Sequence, residues 1–332
     1  MTLTRRNFLT TAATATGLMA APAILRAQGT LALRMGHPHP ETDSWQDTAL
    51  WMADTLKEKS GGEITLQVFP NGLIGNDPTM INSVRAGSLD IMVTGNPFFT
   101  SLAPELNVLD LPYLFQNRDH VARVLDGEIG DRLRSDFEGT GLFALSLWET
   151  GWRHVTNSRR PVATPEDIKG LKIRTTPNPA HIEAFRLLGA VPTPMAFTEL
   201  FTALEMGAVD GQENPTTLIL NSRFYEAQKY LSLTQHAFTA APLVTNADKL
   251  EAMGEDRRTL LIETAQEGAR RQRALNVERE ETSLATLKDE GMEVVEEPDR
   301  EAFRAIVADE VQAKFASEFG SDLIDQINGA AA

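Results

Sequence analysis

Along the first third of the chain, short apolar runs are separated by turn residues. Leu31-Ala-Leu-Arg-Met-Gly36 reads as a strand ending in the polar loop His37-Pro38-His39-Pro40. From Asp43 the apolar period lengthens. Trp45, Ala49, Met52 and Leu56 recur on one helical face, which predicts a helix from Asp43 to about Lys59, stopped by Gly61-Gly62. A second strand over 63–69 runs into Pro70-Asn71-Gly72, and Asp77-Pro78 predicts a helix start with Asp77 as its cap. Residues 89–94 form a third short strand before Gly95-Asn96-Pro97. This order of strands and helices predicts an open α/β sheet with its ligand at the carboxyl ends of the strands.

A second set follows. Residues 141–148 form an apolar strand leading into Glu149-Thr150-Gly151-Trp152-Arg153-His154, and Thr164-Pro165-Glu166-Asp167 starts a helix. Beyond it come a strand at 171–174, a helix near 179–188, a strand near 190–193 and a helix over 197–206. A charged helical pattern then runs from Asp256 to about Glu290, with Leu260, Leu261, Ala265 and Ala269 as its first apolar stripe. Thirty or so helical residues span roughly 45–50 Å. That exceeds one small domain and suits a brace across two.

Length and charge sharpen this picture. The 332 residues suffice for two domains, and the absence of cysteine excludes disulfides, thiol catalysis and cysteine-ligated zinc. Thr4-Arg-Arg-Asn-Phe-Leu-Thr10, the short Ala- and Thr-rich stretch to Leu25, and Arg26-Ala27-Gln28 resemble a twin-arginine export signal cleaved after Ala27. The whole chain carries −15; losing the leader's three arginines, with no acid among them, leaves −18 on the mature protein. Such a chain is expected to be exported to the periplasm, to repel nucleic acid and anionic lipid, and to stay out of the bilayer once mature. If it binds an acid, it needs local cations to overcome its own field.

Arg174 is the foremost candidate for that role. It closes the strand in Asp167-Ile-Lys-Gly-Leu-Lys-Ile-Arg174-Thr-Thr-Pro177, where a fixed guanidinium offers paired donors to a carboxylate. The companion run is Ala208-Val-Asp-Gly-Gln-Glu-Asn-Pro215.

These two runs, with Gly189-Ala-Val-Pro-Thr-Pro-Met-Ala-Phe-Thr-Glu199 between them, resemble the solute-binding proteins of TRAP transporters, the DctP-like family. Ser60-Gly-Gly-Glu-Ile64, Arg85-Ala-Gly-Ser-Leu-Asp90, Leu111-Pro-Tyr-Leu-Phe115 and Phe224-Tyr-Glu-Ala227 fit in order. The resemblance implies a two-domain α/β periplasmic binding protein fold with a hinge and a long helix spanning both domains. It places domain I at 30–151 plus 242–280 and domain II at 152–241 plus 281–332. The implied activity is capture of a small organic acid between the domains and delivery to the membrane permease subunits, without catalysis, cofactor or metal. Arg174 matches the family's carboxylate-binding arginine, Asn214 its amide donor, Arg153 a second arginine, and Phe197 an aromatic packing on the ligand's carbon skeleton.

Domain I loops carrying His37, His39, Asp77 and Asn96 are expected to grip the rest of the ligand, with His236 lining the cleft. Trp148 and Glu149 precede Arg153, where they would present an indole face and a hydroxyl acceptor. An acid beside two arginines favours a sugar acid such as a uronate or aldonate over a C4-dicarboxylate, hydroxy acid, sulfonate or ectoine. Members that bind sialic acid carry an amide where His37 falls and an acid near Gly95, and both are missing here. The alternative from another class is a periplasmic enzyme using Glu149 and His154. Against it, the chain lacks a Walker A loop, a GxSxG elbow and a His-Glu-x-x-His helix.

Overall fold

The computed structural model describes residues 29–331, so the twin-arginine segment and the cleavage site after Ala27 lie outside the described residues. Eleven described strands follow in chain order. They are β1 (Leu31–Gly36), β2 (Ile64–Phe69), β3 (Ile91–Val93), β4 (Leu142–Trp152), β5 (His154–Asn157), β6 (Lys172–Thr175), β7 (Val191–Pro194), β8 (Gly211–Asn214), β9 (Tyr230–Ser232), β10 (Phe238–Asn246) and β11 (Glu293–Val295). They make two mixed sheets, β2-β1-β3-β10-β4 and β11-β9-β5-β8-β6-β7, each the centre of an α/β domain.

The chain crosses between the sheets three times, once through the helix Glu255–Asp289 that joins β10 to β11 and twice at places close in space. Only Arg153 separates β4 from β5, and residues 233–237 separate β9 from β10. The Arg153 N–H donates to the Ala237 carbonyl at 2.9 Å, tying the crossings together. β4 runs four residues past the expected end at 148, because β10 pairs with it from Asn246 opposite Leu142 to Phe238 opposite Trp152. Apolar periodicity cannot see that partner, which lies about ninety residues downstream.

Most helices start where their capping residues indicate. Asp43 accepts the Trp45 N–H at 3.0 Å, and Trp45, Ala49, Met52 and Leu56 are buried against the first sheet. Each such side chain contributes about 1.5–3 kcal/mol of burial. One cap differs. Asn76, not Asp77, caps the helix Asp77–Arg85 by accepting the Thr79 N–H at 3.1 Å. Asp77 occupies the first helical position, which frees its carboxylate for another use. Residues 197–206 divide into a 3-10 turn, Phe197–Glu199, and a short helix, Leu200–Glu205.

The long helix, Glu255–Asp289, has 35 residues and spans about 52 Å. It packs on the helix Ser44–Lys59 and on β4 in the first domain, and on the helix Thr216–Asn221 in the second. Gln272 donates to Ser44 Oγ and to the Glu149 carbonyl at 3.0 Å each, while Ser283 shares a 2.7 Å hydroxyl pair with Thr216. The last helix, Asp322–Gly329, returns to the first domain: His120 Nε2 lies 2.7 Å from the Ile327 carbonyl, and Arg132 pairs with Asp322 at 3.0 Å. The chain's end is thus shared between the domains.

Candidate functional site

The central strands of the second sheet dictate where the cations meet. β6 and β8 run parallel, with Arg174 opposite Gln212, so both carboxyl ends emerge on one side. β5 is antiparallel to β8, with His154 opposite Asn214. Its amino end, and Arg153 just before it, therefore arrive at the same edge as Arg174 and Asn214. The first domain faces this edge with the loops after β1, β2 and β3. Between the domains lies a narrow cavity of about 20 Å³, room for little more than one water molecule. The lobes are thus closed on one another, and a ligand enters only if they part. Arg153, Arg174, Asn214, Phe197, Asp77 and His39 all line it.

Arg174 is 1 % exposed, yet no carboxylate forms an ion pair with it among the described residues. Its Nε and Nη2 donate to the Met195 carbonyl at 3.2 and 2.8 Å, which fixes the plane of the guanidinium. Burial lowers its pKa to about 10; Glu213 partly offsets that and Arg153 adds to it. The group stays cationic at neutral pH. A buried cation without an ion partner is costly unless an anion arrives.

Arg153 is held differently. Nε and Nη2 grip both oxygens of Glu213, and Nη2 also reaches Asn214 Oδ1 at 3.1 Å. Burial would raise the Glu213 carboxyl, but Arg153 and a 3.2 Å contact from His236 hold it well below the usual carboxylate range. His236 is thereby a partner of Glu213 behind the cavity and does not line it. Asn214 donates through Nδ2 to Gln212 Oε1 at 2.5 Å. Asp77 bridges the domains: it accepts Thr94 Oγ1 at 2.6 Å from its own domain and the Phe197 N–H at 3.1 Å from the other.

Several expected contacts lie elsewhere. Glu149 turns its carboxylate to the long helix, where it pairs with Arg118 and accepts Asn276 Nδ2 at 2.7 Å. It does not face the two arginines, because β4 continues past it as a paired strand. Trp148 is fully buried in the apolar core with Leu33, Trp45 and Leu243. His37 bonds to Gln46 at 2.9 Å beneath the loop, and burial pushes its pKa down to about 4. His39 lines the cavity instead, stacked on Trp45 at 3.6 Å and 3.2 Å from Asp43. Asn96 is buried on Asp110 and the Leu106 carbonyl, while its neighbours Gly95 and Pro97 line the cavity. His154 accepts the Gln235 N–H at 3.1 Å, and burial lowers its pKa to about 3. It and Glu149 are separately engaged and form no acid–base pair.

Four threonines also line the cavity, Thr94, Thr150, Thr176 and Thr239. Isolated threonines carry no periodic signal; only Thr150 and Thr176 fall in the runs that carry Arg153 and Arg174. No group of three or more His, Asp or Glu side chains placed to hold a metal occurs among the described residues.

Comparison with known proteins accords with this architecture. Residues 35–318 match the model of DctP, described as bacterial extracellular solute-binding protein, family 7. The 2,3-diketo-L-gulonate-binding periplasmic protein YiaO of Escherichia coli is 40% identical over 298 residues, covering 89% of this chain and 91% of that protein. A TRAP periplasmic solute-binding protein from a Polaromonas species, solved with D-erythronate, superposes with a TM-score of 0.88 at 37% identity, covering 91% of this chain and 99% of its own. The sugar acid binding protein DctPAm of Advenella mimigardefordensis, solved with galactonate, gives a TM-score of 0.88 at 33% identity, covering 91% and 98%. The chain therefore belongs to the DctP family of bacterial extracellular solute-binding proteins, as a periplasmic small-acid receptor of a TRAP transporter and not an enzyme.

Proposed function

We propose that this protein captures a sugar acid, an aldonate or uronate, in the interdomain cavity and presents it in a closed form to the TRAP permease subunits. The observation that carries this reading is Arg174, a buried, cationic guanidinium with no ion partner among the described residues, facing a small cavity beside Arg153 and Asn214. In this reading the ligand carboxylate completes Arg174, Asn214 adds an amide N–H, and Phe197 covers the carbon skeleton. Arg153, already neutralised by Glu213, positions Asn214 and contributes a weaker donor. The lobes of this reading are 30–151 with 242–280 and 152–241 with 281–332, hinged at Arg153 and 233–237.

Support for a hydroxylated acid comes from three relatives that bind 2,3-diketo-L-gulonate, D-erythronate and galactonate. It also comes from four threonines among the residues lining the cavity, Thr94, Thr150, Thr176 and Thr239, beyond the groups that a carboxylate occupies. Glu149 is not part of that support.

A thermal-shift panel of aldonates, uronates, malate, succinate, a sulfonate and ectoine tests the reading. A ligand at a hundredfold excess over its Kd stabilises by about 2.7 kcal/mol, which raises the Tm of a chain this size by several degrees. A sugar acid is expected to give the largest rise. Arg174→Ala is expected to abolish it, with affinity falling at least ~100-fold, since the ligand anion is then buried unpaired. A largest rise with succinate or ectoine, or near-normal affinity in Arg174→Ala, refutes the assignment.

A further inference from the structure

Two of the four cavity threonines have their hydroxyl hydrogens committed to buried carboxylates. Thr94 Oγ1 donates to Asp77 Oδ1 at 2.6 Å, and Thr239 Oγ1 donates to Asp110 Oδ1 at 2.8 Å. A carboxylate only accepts, so the direction of both bonds is settled. Thr176 Oγ1 lies 2.8 Å from His181 Nδ1, where either atom can donate according to the protons on the ring.

Asp110 governs part of this arrangement. It is fully buried and has neither Arg nor Lys as an ion partner among the described residues. Asn96 and Asn178 donate to its Oδ2, while Thr239 and the His181 ring approach its Oδ1. Its acceptor sites are thus occupied by groups from both domains. The Thr94 and Thr239 oxygens keep lone pairs but have no hydrogen to offer the cavity; one lone pair of Thr239 also receives Arg153 Nη1 at 3.4 Å. Thr176 and Thr150, whose hydroxyl makes no hydrogen bond among the described residues, can take either role. The donors belong to Arg153, Arg174 and Asn214, all from the central strands of the second sheet.

We infer that Thr94 and Thr239 are specificity-determining residues that accept hydrogen bonds from ligand hydroxyls, with Asp77 and Asp110 as the positioning residues that fix their polarity. The inference rests on the proposed carboxylate at Arg174 and adds what the rest of the ligand must be: a hydroxyl donor. An unsubstituted dicarboxylate, or an alkanoate, brings no donor to this wall and leaves buried acceptors facing apolar or anionic atoms. Selection against a missing hydroxyl is strong in such sites, because the partner is left unpaired.

Titration calorimetry on the ligand-free exported protein tests this with matched pairs: D-erythronate against butyrate, and galactonate against hexanoate. The hydroxylated member of at least one pair is expected to bind at least ~100-fold tighter. Thr94→Val and Thr239→Val are each expected to weaken the hydroxylated acid about 5- to 50-fold while leaving the alkanoate unchanged, and Thr239→Ser to retain the preference. Asp110→Asn, which sets an amide donor against Thr239 and turns its hydroxyl hydrogen toward the cavity, is expected to shrink the preference without abolishing carboxylate binding. Equal affinity within the pairs overturns the inference, as does equal loss of both members in the Val variants, and either result leaves Arg174 as the carboxylate site intact. Absence of binding by any acid, or an Arg174→Ala variant that binds as well as the original, removes the parent reading and this one with it.

Discussion

The two arginines of the cavity are chemically identical and structurally opposite. Arg153 is paired with Glu213, whereas Arg174 has only the Met195 carbonyl among the described residues. Removing Arg153 strands a buried carboxylate, so Arg153→Met is expected to cost about 3–5 kcal/mol of stability, and Arg153→Met with Glu213→Leu much less. Urea unfolding of the three proteins decides this; a single-variant cost below about 1 kcal/mol would contradict it. A second expectation concerns acid. Burial lowers the His154 pKa from an ordinary 6.5 to about 3. Below pH 6.5 the unfolded chain takes up a proton that the folded chain refuses. The neutral-pH stability is therefore full above 6.5 and declines as pH falls toward about 3, by roughly 2 kcal/mol at pH 5 from this residue. His154→Gln, which keeps an acceptor for the Gln235 N–H but does not titrate, is expected to flatten Tm against pH between 7 and 5. An unchanged slope would exclude His154 as its source.

At the scale of elements, the most legible features were those set by neighbours in sequence. The Ser44–Lys59 helix, its Asp43 cap and β6 with Arg174 follow from periodicity and capping chemistry. Gly211 shows what the same motif conceals. Its Cβ would sit 2.1 Å from the Thr156 carbonyl oxygen, so only glycine lets β8 approach β5. Gly211→Ala is expected to force the strands apart, costing upwards of about 2 kcal/mol and misplacing Glu213 and Asn214 together. Denaturation midpoints and acid affinity should therefore fall in parallel; a stable variant with normal binding would show that the strand can shift freely. β4 marks the limit of local reading. Its extension to Trp152 depends on β10, and that extension makes Glu149 a strand residue committed to the long helix, next to Trp148 in the core. Glu149→Gln should accordingly weaken the Arg118 contact and leave ligand preference unchanged, a result that competition binding with uronate and succinate can check.

For the whole molecule, charge and closure act against one another. The chain carries −15, and its proposed ligand is an anion. Its field opposes encounter, so salt should speed association rather than slow it. Stopped-flow association rates measured from low to physiological ionic strength should rise; a fall would mean that the cavity arginines, not the net charge, dominate the approach. Closure then needs contacts from both domains. Asp77 accepting the Phe197 N–H is one that forms only when the lobes meet. The long helix stiffens the two halves by packing on each, leaving the crossings at Arg153 and 233–237 as the places able to bend.

By itself the sequence determined the α/β class, the long helix, the order of most elements, and the family to which Arg174, Asn214 and Phe197 point. Those rest on local periodicity, capping and contiguous motifs, all of which act over a few residues. The tertiary structure alone decided which polar groups are free and which are spent. Arg153 meets Glu213 from sixty residues away, Glu149 meets Arg118 and Asn276, and Asp110 collects partners from three segments of chain. A side chain's chemistry is fixed by its identity, but its availability to a ligand depends on which distant group has already satisfied it.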